Sequence, residues 1–163
     1  MAYSRFLFAT CYSNTMSSEP STSSLDPITR LLDITGERWS FLILRDLFYG
    51  VRRFDGLQKH LGISKKVLSQ RLSSLVEAEM LTRVPYQERP PRFEYQLTAK
   101  GRDFFPVLVA MQSWSNRWLF SDGEQGALLI HSDCGQPLDT KLICSHCEGT
   151  VTPARIRPGK REQ

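Results

Sequence analysis

Residues 54–81, FDGLQKHLGISKKVLSQRLSSLVEAEML, carry two helical patterns separated by a single glycine. In the first pattern Asp55 and Gln58 have the spacing of a capping box, which predicts a helix start there, and Leu57 and Leu61 fall on its inner face. Gly62 provides a residue that can turn left-handed without the penalty of a Cβ, so the helix is expected to end on it. Ser64 then stands where a hydroxyl caps a second, longer helix. In that helix Leu68, Leu72, Leu75 and Glu79 share one stripe, widened by Val76, while Lys65, Lys66, Ser69, Gln70 and Ser73 lie mostly on the other side. Such a helix buries its leucines and offers cations, hydroxyls and an amide outward.

Upstream, Asp26-Pro27 has the form of a helix start: a carboxylate caps free N–H groups, and proline loses nothing at the first helical position. The helix that follows is expected to turn Ile28, Leu31, Leu32 and Ile34 inward and to stop near Gly36. Arg38 to Phe48 is apolar nearly all round, with Trp39, Phe41, Leu42, Ile43, Leu44, Leu47 and Phe48, and reads as the central core helix, ended by Gly50. Arg45 and Asp46 on it are expected to pair with neighbours. Downstream, Leu81–Pro85 and Phe93–Leu97 are β-prone runs joined by residues 86–92, in which Pro90 and Pro91 stiffen a tip flanked by Arg89 and Arg92. A long helix with Phe104, Phe105, Leu108, Met111, Trp114, Trp118 and Leu119 comes next, and Pro106 implies a kink or late start. Aromatics spread this widely suit a dimer interface better than an effector pocket.

Two helices, a tight turn and a basic hairpin make a winged helix-turn-helix, mainly α with a small β wing. Charge agrees. The chain carries a formal +4, yet residues 51–100 alone hold ten Lys and Arg against five Asp and Glu. A surplus concentrated there suits double-stranded DNA. The expected contacts are Ser64, Lys65, Lys66, Ser69, Gln70 and Arg71 on the helix and Arg89 and Arg92 on the wing. Lysine reaches phosphate or guanine, and glutamine pairs bidentately with adenine. Arg71 is placed so that it could instead turn to a neighbouring carboxylate. The competing reading is a winged helix that docks proteins, with a zinc-stabilised hairpin near the C-terminus as the docking element, which an acidic or apolar helix front would have favoured. No nucleophile–base pair or phosphate cradle appears, so an enzyme is not expected.

The blocks GERW, LILRDL, RRFDGLQ, GIS..VLSQRL and PPR.EY.LT.KG stand in order between Asp26 and about Trp118, and over this stretch the chain resembles HxlR-type transcriptional regulators. The resemblance implies a bacterial homodimer that binds inverted-repeat operators and regulates neighbouring genes. Many members of that family have a cysteine before the proline of the first helix, and in some it senses oxidants or electrophiles. Here the position is Asp26, which cannot do that chemistry. The effector is not implied.

Residues 1–24 read as a disordered leader rich in Ser and Thr; Met16 is an alternative start, which would exclude Cys11. No apolar run reaches the roughly 18 residues of a membrane span, and the cysteine pattern is not that of a secreted disulfide framework, so a reducing cytoplasm is expected. The wing and its flanking helices make a domain over 25–120, and 121–163 is an extension with a basic tail. In it, His131-x2-Cys134 and Cys144-x2-Cys147 are two knuckles with glycines close by. A zinc-ribbon-like hairpin that holds structural Zn²⁺ with these four residues is the first reading. A redox pair, Cys144 with Cys147, and ordinary reduced thiols are the others. His146, between the cysteines, is a rival ligand.

Overall fold

The computed structural model describes residues 26–121, 124, 126–138 and 140–159. Along the chain run α1 (Pro27–Thr35), α2 (Arg38–Phe48), α3 (Phe54–Leu61), α4 (Lys65–Glu77), β1 (Leu81–Gln87), β2 (Arg92–Leu97), α5 (Ala99–Asp103) and α6 (Phe105–Trp118). The fold is mainly helical with one antiparallel hairpin. The expected leader, with Cys11 and Met16, lies outside the described residues.

The core sits on α2. Ile43, Leu44 and Leu47 are buried against Leu57 of α3, Leu68, Leu72 and Leu75 of α4, Met80 and Leu81 at the entry to the hairpin, and Phe104. Burying such side chains is worth about 1.5–3 kcal/mol each, so this cluster supplies much of the drive to fold. One charged side chain is enclosed with them. Asp46 of α2 is fully buried, and its Oδ1 accepts from Nε and Nη2 of Arg45 at 3.0 and 2.8 Å. Its Oδ2 lies 2.6 Å from Nδ1 of His60 on α3. An enclosed carboxylate left without partners would be strongly destabilising; here both oxygens are met, and the pairing ties α3 to α2.

Helix ends follow local chemistry. Asp26 Oδ2 accepts from the Thr29 N–H at 2.7 Å, Ser64 Oγ accepts from the Val67 N–H at 3.3 Å, and Gly62 is left-handed at φ 62°. The start of α3 differs from expectation. The helix begins at Phe54, Arg53 occupies the cap position without a side-chain bond, and Asp55 lies inside the first turn. There its charge faces the positive end of the helix dipole rather than capping an N–H. Glu79 is also off the α4 stripe: α4 stops at Glu77, and Glu79 is an exposed turn residue at φ 58°.

The first helix corrects another expectation. Leu31 and Ile34 pack on the core, but Ile28 is 62 % exposed and Leu32 is exposed too. Nine residues lying on one side of α2 have room to bury only one narrow stripe, so the next row faces outward.

The hairpin pairs Leu81 with Leu97 through Pro85 with Phe93, with a register shift between Pro85 and Gln87. It is longer than the predicted runs by two residues in β1 and one in β2. The α2–α3 connection fastens it: the Tyr95 N–H donates to Arg52 O at 2.8 Å, and Arg53 bridges Glu94. At its base Thr98 Oγ accepts from the Gly101 N–H at 3.0 Å and donates to Glu79 O at 2.6 Å. Gly101 lies so close to the Met80 carbonyl that a Cβ would collide with it, which explains a glycine inside a helix. As Pro106 implied, the last helical stretch is broken: α5 ends before Phe104, and α6 begins with the proline in its first turn.

Candidate nucleic-acid interface

On α4, Lys65, Lys66, Ser69, Gln70 and Ser73 are exposed while Leu68, Leu72 and Leu75 are buried. The division follows from helical periodicity: three buried leucines fix the rotation of the helix about its axis and so aim the polar residues outward. Ser64 stands at the helix start as its cap, also exposed. Arg71 is set apart from this front. Its Nη2 donates to Glu37 Oε1 at 2.7 Å, and its side chain is mostly covered.

The wing rises beside α4. Arg89 and Arg92 are exposed at its tip, where Gln87 Nε2 donates to the Arg89 carbonyl at 3.0 Å and braces the turn. Between α4, the start of α3 and the wing lies an open cleft of about 670 Å³, lined by Ser69 and Ser73 on one wall and by Arg83, Tyr86, Arg92 and Phe93 on the other. Arg53 stands at its edge. Two of these arginines were not singled out in the sequence. The Arg53 guanidinium lies over the Tyr86 ring at 4.4 Å, and that of Arg83 lies over Phe93 at 3.6 Å. Stacking on an aromatic face holds each guanidinium at a set place and leaves its N–H donors free to meet an anion. The signal for Arg83 was present as a cation two positions before Pro85 on an alternating strand. Arg53 could not be found that way, because its partner ring lies across the fold. Asp55 and Glu77 also line the cleft, so its floor is not uniformly positive.

The other predicted cluster is only partly assembled. His131 Nδ1 lies 3.4 Å from Cys134 Sγ. The Cys144 thiol is held below its usual range by backbone N–H groups of His146 and Cys147 and by the Cys147 side chain. Each knuckle thus brings its own pair together. Among the described residues no three His, Cys, Asp or Glu side chains are gathered as one metal ion would need. Among its described residues the extension has no extended two-strand hairpin; two single bridges, Ile130 with Pro137 and Ile143 with Thr150, close the knuckles separately.

A short helix, a left-handed turn, a longer helix with an outward polar front and a hairpin fastened beside it define a winged helix-turn-helix protein. The chain belongs to the HxlR-like helix-turn-helix family, whose model matches residues 34–122. It is 42 % identical over 133 residues to an uncharacterized HTH-type transcriptional regulator of Mycobacterium tuberculosis, Rv3095, covering 82 % of this chain and 84 % of that one. Among solved structures, PA1607 is similar at a TM-score of 0.78 and 36 % identity, covering 85 % of this chain and 96 % of its own. PA1374 of Pseudomonas aeruginosa is similar at 0.61 and 39 %, covering 83 % and 92 %. The chain is a DNA-binding transcriptional regulator of the helix-turn-helix type. Among the described residues no helix is long and apolar enough to cross a membrane.

Proposed function

We propose that the protein acts as a homodimer on an inverted-repeat operator, each subunit laying α4 in a major groove and its wing on the flanking backbone. The observation that carries this reading is that Ser69 and Ser73 of α4 and Arg83 and Arg92 of the wing line one open cleft. Lys65, Lys66, Arg53, Arg83, Arg89 and Arg92 supply phosphate contacts, and Ser64, Ser69 and Gln70 supply polar contacts to base edges. Two copies make two half-sites about one helical turn apart, roughly 34–36 Å, which places both recognition helices on the same side of the duplex. The dimer face is supplied by residues that one chain leaves uncovered: Ile28 and Leu32 on α1, and Met111, Trp114 and Trp118 on α6, the last 66 % exposed. Both helices pack on α2, so a partner seated there is held rigidly relative to the reading head.

Capture of genomic fragments on the purified protein, followed by sequencing, tests this directly. An inverted repeat with half-sites one turn apart is the expected result. Fragments without a shared motif, with no affinity above that for random duplex, would return the protein-docking reading.

A further inference from the structure

Two turns in the C-terminal extension are copies of one another, thirteen residues apart in the chain. The His131 N–H donates to Gln136 O at 2.9 Å, and the Cys144 N–H to Gly149 O at 2.9 Å. Inside these lie Gly135 N–H to His131 O and Glu148 N–H to Cys144 O, each 2.8 Å. Outside them lie Leu138 N–H to Leu129 O at 2.7 Å and Val151 N–H to Leu142 O at 2.9 Å. Each turn is closed by one bridge, and each needs a left-handed residue at the same place, Gly135 at φ 68° and Glu148 at φ 55°. Glutamate is poorly suited to that conformation, yet the turn is kept.

The repeated turn does one thing in both copies: it sets its first and fourth side chains side by side. Those are His131 with Cys134, and Cys144 with Cys147. Backbone hydrogen bonding needs no thiol or imidazole at these positions, so the geometry leaves the choice of residues unexplained. Packing does not explain it either. Leu128, Ile130, Leu142 (72 % exposed), Ile143 and Ile156 stay open to solvent, so the extension has little core of its own. A segment this small needs a staple from outside the hydrophobic effect.

We infer that the two turns close on one Zn²⁺ within the chain, with Nδ1 of His131 and the thiolates of Cys134, Cys144 and Cys147 as its four ligands. Three thiolates and an imidazole suit a d¹⁰ ion in a closed tetrahedral site, and four protein ligands leave no place for a reacting water. His131 Nδ1 is the nitrogen beside Cys134; Nε2 faces Asp133 Oδ2 at 3.7 Å, a carboxylate placed to orient the ring. Among the described residues neither pair has a third donor gathered beside it, so one shared ion requires the two turns to approach each other. The strap that carries them is tied to α6: the side chains of Gln112 and Asn116 donate to Ala127 O, and Thr140 Oγ1 to Ser113 Oγ. Closure therefore orders the extension against the helix assigned to the dimer face. The metal inference stands independently of that assignment.

The test uses the full chain purified without chelator. Expected are about one zinc per chain by elemental analysis, with Cys134, Cys144 and Cys147 shielded from a thiol reagent until a chelator is added. Chelation should open residues 121–163 to protease while the helical circular dichroism persists. Cys134→Ser and Cys147→Ser should lose the metal; His131→Cys should retain it, and so should His146→Ala. Since a Ser variant could fail for other reasons, the His131→Cys and His146→Ala pair decides which imidazole binds. Zinc near zero with these thiols reactive, a Cys144–Cys147 disulfide without metal, or half a zinc per chain shared across a dimer would each overturn the inference.

Discussion

Arg71 Nη2 donates to Glu37 Oε1 at 2.7 Å, joining the middle of α4 to the residue that precedes α2. The guanidinium Nε of Arg71 is buried without a partner of its own, so the side chain is held in place by this ion pair and by packing. Arg71 thus tethers α4 to the body, in contrast to Lys65 and Lys66 at the start of the helix, which are exposed.

That contrast sets the first prediction. Arg71→Ala and Glu37→Ala should each lower stability, and a double-mutant cycle should return a coupling of about 0.2–1 kcal/mol, the range for a pair with one exposed member. Lys66→Ala should leave the denaturant midpoint unchanged. If Glu37→Ala weakens DNA binding as strongly as Arg71→Ala does while stability stays constant, the tether account is wrong.

Salt titration separates phosphate contacts from base contacts. Lys66→Ala, Arg83→Ala or Arg89→Ala should weaken binding to all sequences alike and flatten the log–log salt dependence by about one unit each. Gln70→Ala should keep the slope and relax discrimination at particular positions, by ~1–3 kcal/mol per base. Fluorescence anisotropy on matched and single-mismatch duplexes at several salt concentrations reads both effects. Unchanged binding by all four variants would remove α4 and the wing from the interface.

Assembly gives the third test. A two-fold interface presents the same patch twice, so one substitution acts twice. Trp114→Asp and Leu32→Asp should yield monomers in sedimentation and lose operator affinity together, because each half-site alone binds weakly. Both residues are exposed in the single chain, so the variants should stay folded. Wild-type protein sedimenting as a monomer at micromolar concentration would contradict the dimer.

The cap on α1 predicts a pH effect. The Thr29 hydroxyl, followed by the Thr29 N–H, donates to the Asp26 carboxylate and holds it below the usual carboxylate range. A depressed folded-state pKa contributes stability that is fully present above the unfolded value, about 3.9, and is lost as pH falls through the folded value. Acidification below pH 4 should therefore weaken the start of α1, and Asp26→Asn, which keeps an acceptor but no charge, should flatten that dependence. Amide exchange at Thr29 and Arg30 against pH measures it; identical profiles for the two proteins would sink the assignment.

Much of the reading head was legible residue by residue. Asp26, Ser64 and Gly62 act on backbone groups within a few positions of themselves, so their effects are written in adjacent sequence. The leucine spacing in α4 likewise set which face is buried, and therefore where Lys66 and Gln70 point. The capping box at Asp55 was misread: α3 starts one residue earlier, with Arg53 at the cap position, where its backbone pairs with that of Glu94 across the fold. The outward turn of Ile28 and Leu32 was hidden for a related reason: apolar periodicity marks a face for burial without saying whether the same chain covers it.

The sequence by itself determined the order of elements, the caps at Asp26, Gly62 and Ser64, the helix front and the wing, because these depend on near neighbours and on period. Tertiary structure alone decided which cations are free and which are held. Arg71 meets Glu37 across 34 positions, Asp46 meets His60 across 14, and Arg53 and Arg83 gain their aromatic supports only when the hairpin folds beside α3 and α4. Ion pairs and ring contacts act over a few ångströms, and only the folded path of the chain brings such distant positions that close.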